Sequence, residues 1–172
     1  MPNNKKPKKA IVVGGAAFIG SHLVRALCNQ GYSVYVIDNL VAGKKNSVDP
    51  RAKLHVADIR DMKALKKAFA AAGEGAFVFH LACLPRVQFS IDFPQETNDT
   101  NITGMLNMLV AARDAKARRV IYSASSSAYG DQPILPLVET MQAMPQSPYG
   151  LQKYVGELYC SVFSNVYGLE TV

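Results

Sequence analysis

No acidic residue occurs before Asp38, no cysteines are spaced as CxxC, and no apolar run reaches the roughly 18 residues a membrane span requires. Cys28, Cys83 and Cys160 are few, odd in number and widely spaced. They read as reduced, mostly buried thiols of a cytoplasmic protein. The formal charge of +6 over 172 residues suggests nucleic acid at first sight, but Lys5, Lys6, Lys8 and Lys9 carry four of those charges. No aromatic-studded basic face follows, so nucleic acid and membrane are both excluded as partners. Residues 1–9 read as a basic, disordered tail. With the apolar run behind it, the tail imitates a signal peptide, until glycines, His22 and Arg25 break the pattern. There is no internal repeat, and 10–172 is long enough to bury one good core.

What is present is a strand followed by a glycine turn. Ala10-Ile-Val-Val13 is a short β-branched run of the kind buried on both faces of a parallel sheet. Ser21, His22, Leu23, Val24, Leu27 and Cys28 then follow helical spacing as far as Gly31. Between them lie Gly14, Gly15 and Gly20, with Ala17 where another glycine is expected. Such a turn lets backbone approach a pyrophosphate, while the helix N-terminus supplies N–H donors and positive partial charge. The next apolar run, from Tyr32 to Ile37, ends in Asp38, 18 residues beyond Gly20, where a ribose-binding acid belongs in a dinucleotide unit. A carboxylate there favours NAD over NADP, an effect that nearby Lys44 and Lys45 partly offset.

The same alternation continues. Residues 53–57 predict a third strand ending at Asp58, placed either to meet an adenine amino group or to cap the next helix. A helix follows from Asp61 to Gly73, and a fourth strand from Ala76 to Ala82. His80 in that strand reads as a core residue. Leu81, Ala82 and Arg86 sit at or beyond the strand's C-terminal end, where open α/β sheets place ligands. The spacing predicts one helix from Pro94 to about Ala115, striped by Met105, Leu106, Leu109 and Val110, with Asn101 and Asn107 as polar interruptions. A fifth strand, 119–123, runs into a serine-rich loop. A proline-bearing loop leads to a last helix, capped by Ser147 and Pro148 and reaching Tyr167. Residues 169–172 look like the start of a sixth strand. Alternating βα units argue for a doubly wound parallel sheet, a Rossmann fold of strand order 3-2-1-4-5.

Tyr149 and Lys153 stand four residues apart on one helical face, so both side chains reach a common site. An adjacent ammonium and a cationic nicotinamide lower the pKa of a phenol. Tyr149 is then suited to accept a proton from a substrate hydroxyl as hydride leaves the same carbon. Ser125 is placed to bond the reacting oxygen, and Lys153 to hold the nicotinamide ribose.

These segments resemble the N-terminal part of extended short-chain dehydrogenase/reductases, and within them the UDP-sugar 4-epimerases. The matching stretches are 14–23, Asp38-Asn39-Leu40, Asp58-Ile59-Arg60-Asp61, His80-Leu81-Ala82, Asn101-Ile-Thr-Gly104, residues 125–130 and 147–153. The resemblance implies Ser125, Tyr149 and Lys153 as catalytic residues. It implies Gly14, Ala17, Phe18, Ile19, Gly20, Asp38, Asn39, Asp58, Ile59, Leu81, Ala82 and Lys153 at NAD, and Arg86, Ser125, Ser126 and Ser127 at a UDP-sugar. Related dehydratases carry acids just after the catalytic hydroxyl, where this chain has Ser126 and Ser127, which favours epimerisation over dehydration, with a nucleotide-sugar dehydratase or reductase of the same family as the further alternative. The family also runs on for a further lobe that grips substrate, and it pairs through the helices at 94–115 and 148–167. Three expectations follow. Either the chain belongs to a homodimeric epimerase, or it is an NAD-binding, self-associating module without turnover. In both cases strand five loses its neighbour and presents an open edge.

Overall fold

Ala10-Ile-Val-Val13 forms the middle of a five-stranded parallel sheet in the computed structural model, which describes residues 8–172. Strand β1 (Lys9–Val13) begins one residue before the expected limit, where the Lys8 carbonyl accepts the Ser33 N–H at 2.9 Å. Residues 1–7, most of the expected tail, lie outside the described part. The other strands are β2 (Ser33–Asp38), β3 (Lys53–Val56), β4 (Phe77–His80) and β5 (Arg119–Tyr122). Their order, β3-β2-β1-β4-β5, is the expected one. Five parallel strands put every C-terminal strand end on one edge, and that edge carries the candidate site.

Side-chain alternation along the strands divides the interior in two. Ala10, Val12, Val34 and Val36 pack on Val24, Leu27 and Cys28 of α1 (Phe18–Asn29). Ile11, Val13, Ile37, Val78 and Val120 face α2 (Met62–Ala72), α5 (Met105–Asp114) and α6 (Pro148–Tyr167). The helix boundaries follow the capping residues. Asp61 accepts the N–H groups of Lys63 and Ala64 to start α2. Ser147 accepts that of Gly150, with Pro148 at the first position of α6, and Gly168 ends α6 at a φ of +67°.

Three stretches differ from expectation. The chain between Pro94 and Ala115 is not one helix: α4 (Pro94–Asn98) passes through a widened π-type turn, Asp99–Gly104, into α5. The wide turn carries Asn101, 3% exposed, into the interior. There its amide accepts the Leu84 N–H at 2.8 Å and donates to the Leu84 carbonyl at 3.1 Å and to Gln152 at 2.8 Å. A second unforeseen element is the six-residue α3 (Val87–Asp92), whose buried Ser90 donates to the Val87 carbonyl. The third difference is at β5, which is not left open. Its outer edge is taken by the chain's own last residues, with Val120 N–H donating to Glu170, Tyr122 N–H to Val172, and Val172 N–H back to Val120. Backbone groups that would otherwise invite another chain are thereby paired. The stripe expected as a contact on α5 is also unavailable in part, because Met105 and Leu109 are fully buried against the sheet. Among the described residues, no helix is long and apolar enough to cross a membrane.

Candidate active site

The turn after β1 is shaped by backbone contact. Gly14 has φ +87°, and a Cβ there would fall 2.7 Å from the Ala82 nitrogen. A Cβ on Gly20 would collide with the Gly14 carbonyl, so α1 starts hard against the strand that feeds it. Ala17 is the N-cap of α1 and offers no side-chain hydrogen bond. The first helical bond runs from Ser21 N–H to the Ala17 carbonyl. The N–H groups of Phe18, Ile19 and Gly20 are therefore free of helical partners, and the Phe18 and Ile19 side chains stand exposed. An uncapped N-terminus of a 12-residue helix fits a pyrophosphate. The half-buried Ala17 methyl lies in the cleft wall.

Asp38 ends β2 with its carboxylate 8% exposed, accepting Ala16 N–H at 2.9 Å on one oxygen and Leu40 N–H at 2.8 Å on the other. The cleft beside it is lined by Gly14, Ala17, Asp38, Asn39, Ile59 and Ala82, with Leu81 and Leu84 closing the strand-end side. Asp58 is not the cap of α2. Asp61 caps α2, while Asp58 accepts the Arg60 backbone N–H, two N–H groups of the Arg60 guanidinium, and the Asn39 amide at 3.0 Å. Those donors fill its four lone-pair positions. The Arg60 pairing holds the Asp58 carboxyl well below the usual carboxylate range.

Beyond Cys83 in the cleft wall, whose charge acts on Tyr149 and Lys153, stand β5 and α6. Tyr149 is fixed at the start of α6, its N–H donating to Ser90 at 3.0 Å. Lys153, one turn on, is 3% exposed, and its ammonium donates to the Ser123 carbonyl and lies 4.6 Å from the ring centre of Tyr122. Burial pushes this lysine down, opposed by Cys83 and Glu157. Tyr149 is pushed up, by burial first and by Cys83 second, while a hydrogen bond from Ser125 acts in the opposite direction. Lys153 is not among the groups that shift the phenol, whose burial dominates. The ammonium is turned toward Ser123 and Tyr122, and desolvation of the phenol prevails.

Ser125 caps a short 3-10 turn by accepting the Ser127 N–H at 3.2 Å. Ser125 and Ser126 also line a second groove, with Tyr122, Glu157, Ser164 and Val172. Ser127 faces α6, where a Cβ on Gly150 would meet its carbonyl. Arg86 lies at the exposed N-cap of α3 and lines neither groove. The structure thus brings Ser125, Tyr149 and Lys153 to one edge, and leaves Arg86, Phe18 and Ile19 at the rim.

Sequence reading missed Cys83, Tyr122 and Gln152. Gln152 is 3% exposed and links Asn101 to Thr97, donating to the threonine hydroxyl at 2.9 Å. Its one signal was a large amide three residues after Tyr149, a position that helical phase places about 60° round from it on the side away from Lys153. Asn101 looked like an interruption because helical periodicity assumes a regular helix, which the widened turn is not.

A protein-family model for the NAD dependent epimerase/dehydratase family matches residues 10–172. A putative UDP-glucose 4-epimerase of Methanocaldococcus jannaschii is 38% identical over 161 residues, 93% of this chain and 52% of that protein. The UDP-glucose 4-epimerase of Thermus thermophilus, solved in complex with NAD, superposes with a TM-score of 0.90 at 34% identity. It is covered over 53% of its length by 95% of this chain. A UDP-N-acetylglucosamine 4-epimerase from Methanobrevibacter ruminantium M1, in complex with UDP-N-acetylmuramic acid, gives 0.88 at 36%, over 97% of this chain and 54% of that one. The chain spans about half the length of the relatives it matches. With the family model matching from the first strand to the last residue, and with a shared fold, the chain belongs to the NAD dependent epimerase/dehydratase family.

Proposed function

We propose that the chain binds NAD in the cleft between Gly14 and Ala82 and carries the catalytic half of a UDP-sugar 4-epimerase. The observation that carries this reading is the meeting of Ser125, Tyr149 and Lys153 at the edge next to an uncapped helix N-terminus and a buried aspartate. Asp38 would take the adenosine ribose hydroxyls and disfavour a 2′-phosphate. Gly14, Gly20 and the first turn of α1 would hold the pyrophosphate, with Ile59, Leu81 and Ala82 against the rings. Bound NAD supplies a hydride acceptor at the sugar C4 and a positive ring that stabilises the Tyr149 phenolate. Tyr149 accepts the C4 hydroxyl proton, Ser125 bonds the same oxygen, and Lys153 holds the ammonium charge near the phenol. Ser126, Ser127 and Arg86 would meet the sugar diphosphate.

A second reading is favoured by an exposed apolar face on α6: an NAD-binding module that pairs with itself without turnover. Pairing would use the outer face of α6, where Leu151, Leu158, Val162 and Val166 are exposed at helical spacing, together with the half-buried Leu106 and Val110 of α5. Free Cys28, Cys83 and Cys160 suit the reducing cytoplasm.

The test is titration calorimetry with NAD, followed by incubation with UDP-glucose or UDP-N-acetylglucosamine. A C4 epimer whose formation falls about 10²- to 10⁴-fold in Tyr149→Phe supports catalysis. NAD binding without product supports the module. No affinity for NAD or NADH overturns both.

A further inference from the structure

Tyr122, the last residue of β5, is 9% exposed and touches the buried lysine in two ways. The Lys153 ammonium lies 4.6 Å from its ring centre, and its hydroxyl donates to the Lys153 backbone carbonyl at 3.4 Å. The phenol has a prepared berth, since a Cβ on Gly156 would collide with its oxygen. The His80 ring lies nearly parallel to it, tilted by 16° with centres 5.9 Å apart. Burial keeps Tyr122 protonated and His80 neutral.

A buried ammonium is costly unless its three N–H groups and its charge are met. Among the described residues the one acceptor that Lys153 reaches is the Ser123 carbonyl, and no carboxylate lies within ion-pair distance of it. Glu157 on its own helix and Cys83 on the β4–α3 loop act on it through space. A ring face within about 6 Å attracts a cation by its quadrupole, and more strongly where water is excluded.

We propose that Tyr122 is a positioning residue whose ring holds the Lys153 ammonium at the cofactor edge. The inference rests on Lys153 being the charged partner of Tyr149. The ring offsets part of the burial that drives Lys153 toward the neutral amine, and it leaves N–H donors free for a ligand in the cleft.

NMR of the whole chain carrying lysine labelled with 13C at the ε carbon tests this, with Lys153→Met identifying the resonance. The expected result is an upfield ring-current shift of the Lys153 ε-CH2 protons in the wild type, kept in Tyr122→Phe and lost in Tyr122→Leu. The Lys153 titration midpoint should fall by roughly one pH unit in Tyr122→Leu and stay in place in Tyr122→Phe. An ordinary ε-CH2 shift in the wild type overturns the proposal, as does an unmoved midpoint in Tyr122→Leu. Loss of the shift in Tyr122→Phe also overturns it, by assigning the role to the hydroxyl. If Tyr122→Leu does not fold, the wild type and Tyr122→Phe decide the matter alone. An NAD titration in parallel keeps the two readings apart: failure to bind NAD sinks the proposed function and leaves the ring-current result standing.

Discussion

At Asp38 both carboxylate oxygens accept a backbone N–H, from Ala16 and from Leu40, at a largely buried position in the cleft wall. Asparagine has a single acceptor oxygen there, so Asp38→Asn leaves one buried N–H facing an NH2 group. Charged hydrogen bonds of this kind contribute about 1.5–3 kcal/mol, and a loss of that size is expected in urea denaturation. His80 governs acid stability. Burial first, and Lys153 second, push it down to about 3. In the unfolded chain a histidine takes up its proton near 6.5. Stability is therefore lost as pH falls through the interval between the two, at up to about 1.4 kcal/mol per pH unit. Asp58, held low by Arg60, adds to the loss only at more acidic pH. Glu157 is pushed up by burial and acts with the opposite sign. The comparison of wild type with His80→Phe isolates the histidine: the melting temperature of the wild type should fall from about pH 6.5 to about pH 4.5, and the variant's profile should be flatter.

Between elements, one chain of amides ties the catalytic helix to the strand-end loop. The Thr97 hydroxyl donates to the Phe93 and Pro94 carbonyls, so it accepts from Gln152. The Gln152 oxygen then faces the Asn101 NH2, and the Asn101 oxygen faces the Leu84 N–H. Helix carbonyls at one end thus set the orientation of every amide along the line. Gln152→Leu strands one donor of Asn101 and one acceptor site of Thr97, and should cost about 2–4 kcal/mol with an unchanged m-value. If NAD affinity also weakens in the folded variant, the network positions the Cys83–Leu84 loop as well as stabilising it. None of this was legible in the sequence. Capping by Ser147 and Pro148 was, because a cap depends on neighbours within one helical turn. A buried amide depends on partners 17 and 51 residues away, for which no local pattern exists.

At the scale of the molecule, the outer edge of β5 is closed by Glu170 and Val172, so the pairing proposed above would use the face of α6. Leu158→Lys combined with Val162→Lys places two charges on that face while leaving the core residues Cys160 and Phe163 untouched. Sedimentation should show the wild type associating with concentration and the double variant remaining monomeric at unchanged melting temperature. A wild type that is monomeric throughout would count against pairing by this helix.

Local sequence was enough to establish the strand order, the glycine turn, the acid ending β2 and the i, i+4 spacing of Tyr149 and Lys153. Each depends on backbone sterics or on a period of two or 3.6 residues, and so is written in neighbouring residues. What surrounds those groups was set by folding. Packing turned the Lys153 ammonium toward Ser123 and Tyr122, desolvated Tyr149, saturated Asp58 with Arg60 and Asn39, and widened the helix at Asn101. Solvation and long-range hydrogen bonding belong to the assembled molecule, because each depends on which distant segments exclude water from the same few ångströms.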